Sequence, residues 1–107
     1  MSDFVAVAQV ADFPNPGRQM FEIDDRIVVL LRVGDAFYCL DDVCTHDGGP
    51  LADGKFCEQD FTLACPRHGA KFDIRTGQAL TMPATENTHT HEVKLEQGQV
   101  WVKLRPE

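Results

Sequence analysis

Cys44-Thr45-His46-Asp47-Gly48-Gly49-Pro50 and Cys65-Pro66-Arg67-His68-Gly69-Ala70 are the two runs on which the reading of this chain turns. Each sets one thiol and one imidazole a residue or two apart and follows the pair with glycine. Two thiolates and two imidazoles suit a mononuclear Cys2His2 zinc site. They also complete a two-iron cluster that takes two cysteines on one iron and two histidines on the other. The C-x-H spacing is tighter than zinc modules generally use, and a zinc site leaves the flanking glycines without a purpose. Beside a cluster they have one: Gly48, Gly49 and Gly69 permit positive φ and let backbone N–H groups approach bridging sulfides. Pro50 and Pro66 stiffen the same loops by fixing φ.

Outward from these runs the chain reads as strand and turn. Phe4 to Val10 is a first strand, ended by Pro14-Asn15-Pro16-Gly17. Gln19 to Ile23 follows, then a turn at Asp24-Asp25 and a β-branched run from Arg26 to Val33. Gly34-Asp35 turns the chain into Ala36 to Leu40, which leads directly to Cys44. Between the two runs, Lys55 to Glu58 and Phe61 to Ala64 form a short hairpin. Lys71 to Ile74 is another strand, turned by Arg75-Thr76-Gly77. Near the end, His91 to Leu95 and Gln99 to Leu104 alternate polar and apolar residues around Gln97-Gly98. No helical period of useful length and no repeat is present. Many short strands at close spacing imply a small all-β sandwich or barrel.

The chain has 107 residues, the size of one domain spanning residues 1–107. Ten basic against seventeen acidic residues give a formal charge of −7, which argues against nucleic acid as a partner. The same charge suits docking to a basic patch on a protein, or simply keeps the surface soluble. Met1-Ser2-Asp3-Phe4 is acidic rather than basic, and no apolar run approaches the length of a membrane span. No membrane association and a cytoplasmic setting are therefore expected. In that setting the four cysteines do not form a disulfide framework. Cys39, within Phe37-Tyr38-Cys39-Leu40, is expected as a buried thiol, and Cys57 as a structural thiol near a turn.

The pattern C-x-H…C-x-x-H, with its glycines and with Met82-Pro83-Ala84 downstream, resembles the Rieske [2Fe–2S] signature, in its low-potential, bacterial oxygenase-type ferredoxin form. The resemblance covers almost the whole chain and is most specific between Cys44 and Phe72. It implies a Rieske-like fold: an antiparallel β-sandwich or barrel base with a cluster-binding subdomain, about residues 42–84, inserted between its strands. It implies one [2Fe–2S] cluster per chain, with Cys44 and Cys65 on one iron and His46 and His68 on the other. The histidines would bind through Nδ1 and leave Nε2 at the surface, a short exit for an electron. Gly48, Gly69, Ala70, Phe72 and Pro83 would shape the surroundings of the cluster.

Respiratory, high-potential members of that family carry an extra cysteine in each loop, and the two form a disulfide; the corresponding positions here are Gly49 and Arg67. Those members also place a serine and a tyrosine where this chain has Ala70 and Phe72, neither of which donates a hydrogen bond. Fewer donors leave the reduced cluster's extra charge less stabilised, so a potential near the low end of the Rieske range is expected, about −150 mV or somewhat above. The segment from Asp47 to Ala64 is a residue or so longer than is usual in dioxygenase ferredoxins, an excess best placed in the Lys55–Phe61 hairpin.

The function the resemblance implies is one-electron transfer rather than catalysis. An NAD(P)H-dependent flavoprotein reductase would supply electrons, and a terminal aromatic-ring oxygenase would receive them at the His46/His68 tip. The small subunit of an assimilatory nitrite reductase is an alternative, ranked lower because such subunits often lack the ligands kept here. A domain cut from an oxygenase α-subunit ranks lower still. Other constellations carry less. His89 and His91 alternate along a strand without a third ligand nearby and are expected to be solvated. Asp24-Asp25 and Asp41-Asp42 are expected as turn aspartates, and Trp101 as core.

Overall fold

The computed structural model describes residues 3–42, 51–66, 69–82 and 86–106. Strand β1 (Val5–Gln9) runs through a 3-10 turn at Val10–Asp12 toward β2 (Gly17–Ile23). Then come β3 (Arg26–Val33), β4 (Ala36–Asp41), β5 (Phe56–Cys57), β6 (Thr62–Ala64), β7 (Lys71–Asp73), β8 (Thr90–Glu96) and β9 (Gln99–Lys103). Six strands form one sheet in the order β1-β9-β8-β4-β3-β2, and β5-β6-β7 form a second. The two edges of the large sheet border a common cavity, lined by Val7, Ala8 and Gln9 on one side and Gln19 on the other. The sheet therefore curls toward a barrel, as the spacing of strands and turns predicts.

Three tight hairpins set this register. Asp24 and Asp25 have φ of 49° and 66°, and Gln97 and Gly98 have 55° and 75°. Positive φ at both central residues matches the right-handed twist of paired strands, so β2–β3 and β8–β9 close without splaying. Gly34, at φ 61°, turns β3 into β4. The third strand begins and ends where the sequence predicts, since a turn bounds it on each side. The β5–β6 connection is longer than predicted: Glu58 to Phe61 separate the paired residues Cys57 and Thr62, and Phe61 itself takes φ 56°.

Strand β3 separates two hydrophobic cores. Val28 and Leu30 face one side, with Phe13, Phe37, Cys39, Val100 and Val102. Val29 and Leu31 face the other, with Leu40, Leu51, Leu63, Cys65, Ala70, Phe72 and Ile74. Burial on both faces explains why Val28 to Leu31 is a continuous apolar run rather than an alternating one. The second core binds the small sheet, inserted in the chain between β4 and β8, onto the base. Arg18 Nη1 on β2 adds a hydrogen bond to the Gly54 carbonyl just before β5.

Gly54 lies so close to β6 that a Cβ there would collide with the Ala64 carbonyl. Gly54→Ala must push this loop off the strand leading to Cys65. We expect a loss of about 2 kcal/mol in unfolding free energy, the order seen when a core is overpacked, measured by urea denaturation.

Two expectations about the base change. Val100 and Val102 are the buried residues of β9, and Trp101 points to the opposite face. There its Nε1 donates to the Glu96 carbonyl at 3.3 Å and its ring lies beside the Lys94 ammonium. With a period of two, a strand that buries two valines flanking a tryptophan must turn the tryptophan outward. His91 is likewise not a solvated strand histidine: its side chain is fully buried, whereas His89 is exposed.

Candidate metal centre

Strand β6 delivers Cys65 at its end and β7 begins six residues later, at Lys71. The connection is closed at its base: Cys65 N–H donates to the Ala70 carbonyl at 2.7 Å, and Gly69 N–H donates to the Cys65 carbonyl at 2.9 Å. Gly69 completes that turn at φ 73°, where a side chain would be strained. Cys65 is 2% exposed and carries no disulfide. Its packing partners include Ala70 and Phe72, both fully buried and neither offering a side-chain donor. Arg67 and His68, within this loop, lie outside the described residues. So do Cys44, His46, Gly48 and Gly49 of the first loop, and Pro83. Among the described residues no group of three or more His, Cys, Asp and Glu side chains could hold a metal ion.

The approach to the first loop runs through Asp41 and Asp42, and neither is the simple turn aspartate that the sequence predicts. Successive side chains of a strand point to opposite faces, and these two do. Asp41 joins the base: Arg26 Nη2 donates to Asp41 Oδ1 at 3.1 Å, and His91 Nε2 lies 2.7 Å from the same oxygen. Arg105 N–H donates to His91 Nδ1 at 3.0 Å, so the ring proton sits on Nε2 and is donated to Asp41. Burial works to raise the Asp41 pKa, but the hydrogen bond from His91 and the nearby positive charge of Arg26 outweigh it. The carboxyl is held below its usual range. Asp42 follows on the face of Leu40, and its Oδ1 accepts the N–H groups of Leu51 and Ala52, each at 2.7 Å.

The other two described cysteines, Cys39 and Cys57, are free thiols. Cys39 is buried in the base core, where desolvation, reinforced by the Asp41 carboxylate, pushes its thiol up to about 12. Such a thiol stays protonated and is a poor ligand. Cys57 is only half-buried, with its Sγ 3.4 Å from Asp60 Oδ2 across the β5–β6 turn.

The donor chemistry and the packing suit a two-iron cluster. Leu51, the first described residue after the first loop, packs in the same core as Cys65 and Ala70 at the base of the second. The bases of the two loops are thus fixed to one rigid body, as a cluster bridging them would require.

Comparison with known proteins points the same way. Residues 3–99 match the Rieske [2Fe–2S] domain family. The chain is 36% identical over 95 residues to the ferredoxin subunit of a 3-phenylpropionate/cinnamic acid dioxygenase from Shigella flexneri serotype 5b, a match covering 89% of this chain and 88% of that one. It superposes on the ferredoxin of carbazole 1,9a-dioxygenase from Nocardioides aromaticivorans IC177 with a TM-score of 0.90 and 27% identity, covering 94% of this chain and 97% of that one. It also superposes, with a TM-score of 0.85 and 29% identity, on a chain from the complex of reduced oxygenase and oxidised ferredoxin in carbazole 1,9a-dioxygenase, covering 94% and 92%.

Proposed function

The chain belongs to the Rieske [2Fe–2S] domain family, and from that premise we propose that it is the ferredoxin of a ring-hydroxylating oxygenase system, an electron-transfer component and not the catalytic subunit. The observation that carries this reading is a ferredoxin-sized chain matched along nearly its full length to dioxygenase ferredoxin subunits. Cys44, His46, Cys65 and His68 are the ligands. A [2Fe–2S] cluster with this donor set takes up and releases one electron at a time. What supports this reading is a closed turn at Cys65 and a core that holds Leu51, just after the first loop, together with Cys65 at the start of the second.

The partners are an NAD(P)H-dependent flavoprotein reductase and a terminal aromatic-ring oxygenase, met in turn at the His46/His68 tip in the cytoplasm. The carbazole 1,9a-dioxygenase complex supports the oxygenase half of this reading, since its ferredoxin shares this fold. No described helix is long and apolar enough to cross a membrane.

A potentiometric titration tests the role. A value near the low end of the Rieske range, about −150 mV, is expected, and one above about +100 mV would place the protein with respiratory electron carriers instead. Ala70→Ser adds a donor beside Cys65 at almost no change in volume. One hydrogen bond to the charged acceptor, about 1.5 kcal/mol, raises a one-electron potential by about 60 mV. An unchanged potential in direct voltammetry would refute the idea that missing donors hold it low.

A further inference from the structure

We infer that Asp42 is a positioning residue for the cluster: its carboxylate ties the start of the first ligand-bearing loop to its end and so sets Cys44 and His46 against Cys65 and His68. The inference rests on the ligand reading above and adds a role that the motif itself does not contain. Asp42 is 7% exposed and stands one residue past the end of β4. Its own N–H donates to the Ile27 carbonyl on β3 at 3.0 Å, so the loop leaves the base from a fixed point. Its Oδ1 then accepts both Leu51 N–H and Ala52 N–H at 2.7 Å, short distances for N–H···O bonds and typical of a charged acceptor.

The chain therefore leaves the sheet at residue 42 and is brought back to the same side chain at residues 51 and 52. Leu51 is then fully buried among Leu63, Cys65, Ala70 and Phe72. One residue thus couples three things: strand β3 through its backbone N–H, the return of the first loop through its carboxylate, and the base of the second loop through Leu51. Asp41, the neighbouring carboxylate, faces the opposite way and serves the base alone, so the two acids divide the work by the alternation of the strand.

The role needs an acceptor at Oδ1 and only secondarily a charge. The Asp42→Asn change keeps an acceptor oxygen in the same place, whereas Asp42→Ala takes the acceptor from the buried Leu51 N–H and the part-buried Ala52 N–H. The experiment follows loss of visible absorption from the purified, cluster-bearing protein in the presence of an iron chelator, with the reduced EPR spectrum recorded alongside. Asp42→Ala should release the cluster at least about tenfold faster and broaden the EPR lines through a spread of ligand geometries. Asp42→Asn should stay within about threefold of the parent with an unbroadened signal. If both variants release the cluster at the parent rate, or if the asparagine variant is no better than the alanine one, the positioning role is wrong. Should the parent itself show no two-iron signal, the ligand reading fails instead, and the two failures are distinguished.

Discussion

Cys65→Ser protein is expected to be colourless and iron-free, while Cys39→Ser protein keeps its cluster. Both thiols are 2% exposed, so burial alone does not separate them; their surroundings do. Cys39 packs against Leu30 and Val100 in the base core, and its thiol is pushed up to about 12, so it stays a protonated, inert side chain. Cys65 sits where β6 ends, over a turn closed by its own backbone groups, in the core shared by both loop bases. Serine keeps the shape at either site but binds iron far less well than a thiolate. Cys39→Ser buries a hydroxyl and costs about 1–3 kcal/mol without touching the metal. Cys65→Ser removes a ligand and with it the stability that metal binding lends to the fold. Iron analysis and the visible spectrum of the two proteins make the comparison. Iron retained at the parent level in Cys65→Ser would remove Cys65 from the ligand set.

Asp41→Ala is expected to lower the unfolding free energy by about 3 kcal/mol, the low end of what breaking a buried ion pair costs. The side chain of His91 is fully buried and those of Arg26 and Asp41 are 18% and 15% exposed. Removing Asp41 takes the shared carboxylate away from two largely desolvated partners. The loss depends on pH in a definite direction. Because folding holds Asp41 below its ordinary carboxylate pKa, its contribution is complete above about pH 4 and disappears as pH falls through the lower, folded-state value. Urea denaturation at pH 7 should therefore separate parent and variant widely, and the gap should close under acid conditions. A gap that persists unchanged in acid would show that packing, not the ion pair, sets the cost.

The parts of this molecule that are legible from sequence are those governed by local rules. The Asp24-Asp25, Gly34-Asp35 and Gln97-Gly98 turns announce their hairpins because few residues tolerate positive φ, and the strands between them follow. The two short Cys/His runs point to the proposed site because thiol, imidazole and glycine have so few joint uses at that spacing. What stays hidden depends on partners far away in the chain. His91 is fifty residues from Asp41, and alternation along β8 places it inward without revealing the carboxylate that satisfies it. Asp42 looks like a turn residue until the return of the loop at Leu51 brings two N–H groups to it. Trp101 misleads for a simpler reason: size suggests the core, whereas the period of β9 reserves that face for Val100 and Val102.

The central claim is a cluster bound by two thiolates and two imidazoles, and the EPR spectrum of the anaerobically purified, dithionite-reduced protein tests it most directly. Imidazole is a weaker donor than thiolate, so a mixed set gives a rhombic signal whose average g lies clearly below that of an all-cysteine two-iron cluster. That rhombic, low-average-g spectrum is the predicted result. An average g at the all-cysteine value, or a silent sample containing zinc, would contradict the account.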